Sequence, residues 1–344
     1  MPDVTLLNIS RSIEVPDGQT ILSAALDAGI DYPHGCKSGR CGNCKSRLAS
    51  GEVELPDHSR FALPPDERDG GLILACRAVP KGPVSVFWLE EENEAAIYPH
   101  RDMEAEVTGA ALLTHDILRL RLRADGAALR FAPGQYATLA LPGVPARDYS
   151  MANLPSADEL EFHIRRVPNG RTSTAIHERL RVGDRLHVSG PRGSAHLRTG
   201  HTGPVLAVAG GSGLAPILSI LESAVAQGMR QPLRVYVGGR DEPDLYGLER
   251  LAELAARHGD MTVTPVLSSP TAPTARRTGF VHAAVRADLA NLDGWKCYTA
   301  GPPVMTDALT EVVLAKGLKR DDLHADVFFT PETVIDTGGI TATG

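Results

Sequence analysis

Residues 34–44 read HGCKSGRCGNC, and a fourth cysteine follows at position 76 in LILACRAV. Cys36, Cys41 and Cys44 therefore stand in a C-x4-C-x2-C run with Cys76 far downstream. Three thiolates from one loop and a fourth from a distant segment is the spacing of a four-thiolate [2Fe–2S] cluster. Such a cluster is negatively charged and needs backbone N–H groups turned toward sulfur. Gly35, Gly39 and Gly42 permit the tight turns this requires, and Lys37 and Arg40 bring positive charge. Structural zinc fits less well, because its ligands usually come as two short paired units. Disulfides fit poorly with five cysteines in 344 residues and no export signal.

Working outward, residues 4–9 and 13–15 read as short strands. Thr20 is placed to cap a helix over 21–28, which Gly29 ends, and strands near 46–49, 72–78 and 84–88 complete the unit. With its cysteine spacing, this first quarter of the chain resembles the plant-type ferredoxin domain, which implies a small β-grasp fold around the cluster. The stretch EEENEAAIYPHR (90–101) has four acidic residues, a proline and no apolar period, and reads as a linker. From residue 102 to 200 the texture is all-β, with runs such as ILRLRLR (117–123) and QYATLALP (135–142) and a single helix at 172–180, which suggests an antiparallel barrel. From 201 to 330 strands and helices alternate, the pattern of a doubly wound parallel sheet. Residues 331–344, rich in Thr and Gly, read as a mobile tail. The fold class is thus multidomain, α+β followed by α/β, with the cluster unit at 1–89.

Two stretches of the β region carry chemistry. In RDYSMAN (147–153), strand alternation puts Arg147 and Tyr149 on one face, where one can reach a phosphate and the other lay its ring on a flat heterocycle, while the Ser150 hydroxyl can bond the edge of such a ring system. In HIRRVPNGRTSTAI (163–176), Gly170 and the N–H groups of Arg171, Thr172 and Ser173 open a helix, a natural pyrophosphate cradle. Together they resemble the RxYS and HxRxxPxGxxS signatures of the ferredoxin–NADP⁺ reductase superfamily. That resemblance implies an FAD-binding barrel. It puts Arg147, Tyr149 and Ser150 at the isoalloxazine and inner phosphate, His163, Ile164 and Arg165 beside the flavin, and Gly170, Thr172 and Ser173 at the pyrophosphate. FAD is preferred to FMN because relatives with the ferredoxin domain first resemble the FAD-using branch.

AGGSGLAPILSIL (209–221) follows a buried-type strand and opens a helix, so Gly210, Gly211, Ser212 and Gly213 let a dinucleotide approach the backbone. It is not G-x-G-x-x-G. Its GGxGxAP pattern, through Pro216, resembles the same superfamily, as does AGPPVM (300–305) with Gly301 and Pro302. The family often has a cysteine directly before this GPP; here Ala300 takes the place, and Cys297 reads as a buried strand residue. HADVFF (324–329) resembles the terminal segment whose aromatic residue covers the flavin, which makes Phe328 the candidate lid and Phe329 its alternative. Arg240 stands where a cation meets a 2′-phosphate, but Asp241 and Glu242 beside it suit a ribose, so the coenzyme is NADH or NADPH.

Over nearly all of residues 1–330 the chain resembles the ferredoxin–FAD–NAD(P) reductase components of Rieske-type aromatic-ring dioxygenases. The implied function is oxidation of NAD(P)H on FAD and one-electron delivery through the cluster to a terminal Rieske oxygenase or a small ferredoxin. A nicotinamide releases two electrons together, a cluster takes one, and a flavin handles both. A di-iron monooxygenase reductase has the same domain order, and a non-catalytic electron-carrier module is the reading from another class. The net charge of −7 argues against nucleic acid, and no apolar run approaches the ~20 residues of a membrane span, so a soluble cytoplasmic protein is expected.

Overall fold

The computed structural model describes residues 1–34, 37, 39, 42–56, 58, 62–89 and 98–328. Cys36, Cys41, Phe329, the tail 331–344 and residues 90–97 of the linker lie outside them. The chain divides into two compact units, Met1–Asn93 and Glu94–Gly344.

The first unit contains β1 (Asp3–Leu6), β2 (Arg11–Glu14), α1 (Ile21–Asp27), β3 (Lys45–Ser50), β4 (Val53–Glu54), α2 (Pro65–Asp69), β5 (Leu72–Leu74), β6 (Val79–Pro80) and β7 (Val84–Trp88). Five strands form one mixed sheet in the order β2-β1-β7-β3-β5. Helix α1 starts where its sequence directs: the Thr20 hydroxyl accepts from Ser23 N at 3.3 Å, and Gly29 follows at a φ of 71°. Two further N–H groups of its first turn, on Ile21 and Leu22, donate to the carbonyls of Ala78 and Ala75. Groups that a helix start leaves unpaired thus fix the segment that carries Cys76. The apolar face of α1 (Ile21, Leu22, Ala25) packs in one core with Val4, Leu6, Val84 and Val86.

The second unit begins with β8 (Arg101–Leu112), β9 (Ile117–Ala124), β10 (Tyr136–Ala140), β11 (Arg147–Ser150), β12 (Leu160–Arg165), α3 (Arg171–Arg179) and β13 (Arg185–Arg192). These strands form a sheet in the order β11-β10-β13-β8-β9-β12. A bridge between Met151 and Phe162 joins its two edges, so the sheet curls into a nearly closed barrel. In β9 the alternation is literal: Leu118, Leu120 and Leu122 fill the barrel, while Arg121 and Arg123 are exposed. Strand β8 opens at Arg101, paired with Gly190, so the ladder takes up the last linker residue.

The parallel sheet follows, with β14 (Val205–Gly210), α4 (Leu214–Ala226), β15 (Leu233–Gly239), α5 (Leu248–His258), β16 (Met261–Leu267), β17 (Arg277–Thr278), α6 (Val281–Asp288), β18 (Lys296–Gly301), α7 (Pro303–Ala315) and β19 (Leu323–Val327). Its order is β17-β16-β15-β14-β18-β19 and every pairing is parallel. The winding reverses between β14 and β18, and in open α/β sheets the ligand crevice lies outside the carboxyl ends of the strands at that reversal. Helix α4 is apolar nearly all round and buried on most sides, packing on β14, β18 and α5. Its Ser219 hydroxyl donates to Asn153 O at 2.8 Å, which ties the sheet to the barrel.

Candidate functional site

In the first unit Cys44 and Cys76 are both buried and lie side by side. Ala75 N donates to Cys44 O at 3.0 Å, and the Cys76 N–H points at Cys44 Sγ at 3.5 Å. Gly39 N donates to Cys76 Sγ at 3.2 Å. These N–H groups supply the positive partial charge that thiolate sulfur needs beside iron, so the described part of the loop fits the cluster. Gly39 has a φ of 77°, and a Cβ there would meet Arg77 Cγ at 2.6 Å, so glycine is required twice over. A buried chain from Tyr32 OH through Ser46 Oγ (2.6 Å) to Cys44 O (3.1 Å) fixes the third cysteine from behind.

In the barrel the two flavin stretches come together. At the start of α3, Thr172 Oγ1 donates to Pro145 O at 2.6 Å and Arg171 Nη2 to Gly143 O at 3.1 Å. The N-terminus of that helix is thereby fastened to the loop leading into Arg147. Gly170 is the cap residue, with no side-chain cap among the described residues, and a Cβ there would lie 2.6 Å from Ser173 Oγ. That uncapped end, with its dipole and N–H groups, is chemically suited to a pyrophosphate. Arg147 is exposed, Tyr149 packs on the barrel core and Met151 is wholly inside it. The Ile164 side chain is likewise in the barrel core, so only its backbone is offered outward.

Around the reversal point the loops after β14 and β18 touch. A Cβ on Gly213 would fall 2.1 Å from Ala300 O, and one on Gly210 would fall 2.6 Å from Met305 Sδ. Only glycine lets the two loops approach this closely. Arg165, at the end of β12, reaches this place from the barrel. Its Nε donates to Asp116 Oδ2 at 2.7 Å, and its Nη1 lies 3.0 Å from where a Gly211 side chain would begin. The barrel and the Gly-rich loop are thus juxtaposed, the arrangement needed for a flavin and a nicotinamide to meet. Ser212 and Pro216 are buried in the same turn and helix start, and Pro302 precedes α7. Arg240 follows β15, exposed, with its backbone and side chain both directed at Asp244.

Sequence reasoning missed Asp326. It lies on β19, and Ser150 Oγ donates to its Oδ2 at 2.5 Å. Burial pushes this carboxyl up to about 6, against the pull of the Ser150 hydrogen bond. The signal was the alternation in HADVF, which puts 324, 326 and 328 on one side of a strand. Phe328 is half-buried, and its N–H donates to Gly301 O at 2.8 Å, which places the lid candidate beside the GPP loop.

Also missed was a buried polar network joining barrel to sheet. Glu161 Oε1 accepts from Arg250 Nη1 at 2.9 Å and from His163 Nε2 at 3.1 Å, and Arg250 Nε pairs with Glu222. Since the carboxylate only accepts, His163 carries its proton on Nε2, and Nδ1 accepts from Tyr246 OH at 3.0 Å. Burial alone would raise the Glu161 pKa, but His163 and Arg250 outweigh it and hold it at about 2. Burial pushes His163 down, so its ring is neutral. Both ring nitrogens are committed to protein partners, and it is Arg250 that ties α5 to the barrel through Glu161. Cys297 is fully buried on β18 and burial pushes its thiol up, as befits a packing residue.

A cluster loop, a flavin barrel and a coenzyme sheet define an NAD(P)H-dependent flavin iron–sulfur oxidoreductase. Residues 4–81 match the 2Fe-2S iron-sulfur cluster binding domain, 104–197 the oxidoreductase FAD-binding domain and 207–311 the oxidoreductase NAD-binding domain. The chain is 40% identical over 323 residues (94% of it, 97% of the relative) to the ferredoxin–NAD(P)⁺ reductase component of the naphthalene 1,2-dioxygenase/salicylate 5-hydroxylase systems of Ralstonia sp.. It is 35% identical over 334 residues (95% and 94%) to the reductase component of phenol 2-monooxygenase from Pseudomonas sp. strain CF600. The crystal structure of an Amycolatopsis cytochrome P450 reductase superposes with a TM-score of 0.75 at 34% identity, covering 95% of this chain and 99% of that one. The chain belongs to the family of ferredoxin–NAD(P)⁺ reductase components of multicomponent oxygenases. Its cofactors are a [2Fe–2S] cluster and FAD, its coenzyme is NAD(P)H, and the family passes electrons to an oxygenase. No helix of the described residues is long and apolar enough to cross a membrane.

Proposed function

We propose that this protein is the reductase of an aromatic-ring dioxygenase, taking a hydride from NADH or NADPH and delivering single electrons to a terminal Rieske oxygenase, directly or through a small ferredoxin, in the cytoplasm. FAD supplies the step from paired to single electrons, and the cluster supplies the one-electron outlet. The observation that carries the reading is Arg165 lying over Gly211, because it brings the barrel's flavin strand against the coenzyme loop.

In this reading residues 1–89 hold the cluster through Cys36, Cys41, Cys44 and Cys76, residues 90–101 link it, 102–200 bind FAD and 201–330 the coenzyme, with 331–344 a tail. Arg147 and the helix start at Gly170–Ser173 neutralise the FAD phosphates, and Tyr149 supports the ring system. Ser150 and Asp326 hold a proton at the flavin edge, where charge changes during transfer, and Phe328 excludes water. Gly210–Gly213, Gly301 and Pro302 admit the coenzyme backbone. The unshielded Arg147 and the close-packed Gly213 favour a working site over a non-catalytic carrier that has lost its cofactors.

The naphthalene 1,2-dioxygenase relative favours the dioxygenase partner, and the phenol 2-monooxygenase relative supports a di-iron monooxygenase as the second reading. Reconstitution separates them. With NADH or NADPH, the purified protein should support product formation by a Rieske dioxygenase, with or without its small ferredoxin. Turnover only with a di-iron hydroxylase would sink the first reading.

A further inference from the structure

Cys76 and Arg77 are consecutive, and both bear on Gly39 of the cluster loop. Cys76 Sγ accepts the Gly39 N–H at 3.2 Å. On the side where a side chain would project from Gly39, Arg77 Cγ and Cδ lie 2.6 and 3.0 Å from the Cβ position, and His58 Cβ lies 3.2 Å from it. The aliphatic stem of the arginine thus occupies the space that any other residue at 39 would fill. Gly39 turns through a φ of 77°, and a residue with no side chain cannot pack to hold such a turn. Contact from outside must keep its peptide aimed at sulfur.

Arg77 can exert that contact because its own backbone is fixed. Just past β5, Arg77 N and Ala78 N both donate to Leu74 O, at 2.8 and 2.9 Å, which closes a tight turn. The carbonyls of Ala75 and Ala78 accept from Leu22 N and Ile21 N at the start of α1, and both alanines are fully buried. Arg77 is half-buried, as an arginine is when its methylenes lie along the protein surface. The chemistry gives this contact a consequence. A thiolate-held cluster gains one negative charge on reduction, so an N–H directed at one of its sulfurs stabilises the reduced form more than the oxidised one. Hydrogen bonds to sulfur are among the levers that set a cluster's potential.

We infer that Arg77 is a positioning residue for the cluster: its stem pins Gly39 so that the N–H stays on Cys76 Sγ, which raises the potential at which the cluster accepts its electron. The stem does this by packing, and the guanidinium charge is dispensable. This rests on the four-cysteine reading above and deepens it. The test is a redox titration of the holoenzyme with the cluster followed by EPR. In Arg77→Ala the ratio of reduced to oxidised cluster at a fixed applied potential should fall about tenfold, the effect of one hydrogen bond to a charged acceptor, which is a midpoint about 59 mV lower. Arg77→Met and Arg77→Lys keep the stem and should stay within twofold of the parent ratio. Where the alanine variant fails to hold a cluster, iron content replaces the ratio, and the methionine variant should keep the parent's iron. An alanine ratio within twofold of the parent would overturn the assignment. So would a methionine variant that shifts as far as alanine, which would make the charge responsible, or one that loses its iron. A parent protein without iron would instead overturn the four-cysteine reading beneath it.

Discussion

Ser150, at the end of a barrel strand, donates its hydroxyl proton to Asp326, on the last strand of the coenzyme sheet, at 2.5 Å. One hydrogen bond thus couples the flavin-binding signature to the segment that carries the lid candidate. Burial holds the Asp326 carboxyl at about 6, so this acid keeps its proton at pH values where ordinary carboxyls have lost theirs.

That elevation has a sign. The folded chain binds more protons at Asp326 than the unfolded chain between about pH 4 and 6. The group's contribution to stability is therefore fullest below that window and falls as pH rises through it, by at most about 3 kcal/mol. Asp326→Asn removes the dependence. The difference in denaturation midpoint, parent minus variant, should decline from pH 4 to 6.5 and then level off. A difference that ignores pH would mean the carboxyl titrates normally.

Arg250 bridges two carboxylates, Glu161 at 9% and Glu222 at 14% side-chain exposure. Arg250→Met leaves both without their cation, which should cost about 2 kcal/mol after allowance for the partial exposure of the arginine. Adding Glu161→Gln should recover part of it, a coupling that a double-mutant cycle measures. Simple additivity would show that the bridge contributes nothing of its own.

Gly213→Ala drives a methyl group into the Ala300 carbonyl, 2.1 Å away, and neither partner is a flexible side chain. The loops must part at the reversal of the sheet. Iron and FAD content should survive while the KM for NADH or NADPH rises at least tenfold, read by steady-state dye reduction. An unchanged KM would put the coenzyme elsewhere.

Cys297 is fully buried and burial raises its thiol pKa, so it should resist alkylation in the native state. Cys297→Ala should leave dye reduction within twofold of the parent. A hundredfold loss would make it a working thiol after all.

Much of this was written in short range. The cysteine spacing, RDYS, the helix start at Gly170 and the GGSG and GPP turns each declare themselves, because a turn or cap needs particular residues at particular offsets. The first helix was legible from Thr20 and Gly29 for the same reason. What stayed hidden is made by residues far apart in the chain. Nothing in the sequence links Ser150 to Asp326, or Glu161 to Arg250, since each pair meets only when barrel and sheet pack. The same holds for the ring of His163, whose partners Glu161 and Tyr246 no local pattern announces. Ile164 follows strand alternation into the core.

The order of electron flow is open to a partial block. Cys76 accepts from Gly39 N and stands beside Cys44, so Cys76→Ser should strip the cluster. Cytochrome c reduction should then fall at least a hundredfold, while ferricyanide reduction, drawn from the flavin, stays within a few-fold of the parent. Equal loss of both would contradict an outlet through the cluster.

The most direct measurement is anaerobic rapid mixing of the holoenzyme with NADH or NADPH, followed by absorbance and by freeze-quench EPR. The flavin band should bleach first, and the signal of a reduced [2Fe–2S] cluster should grow in afterwards. A cluster signal that precedes bleaching, or none at all, would contradict the relay.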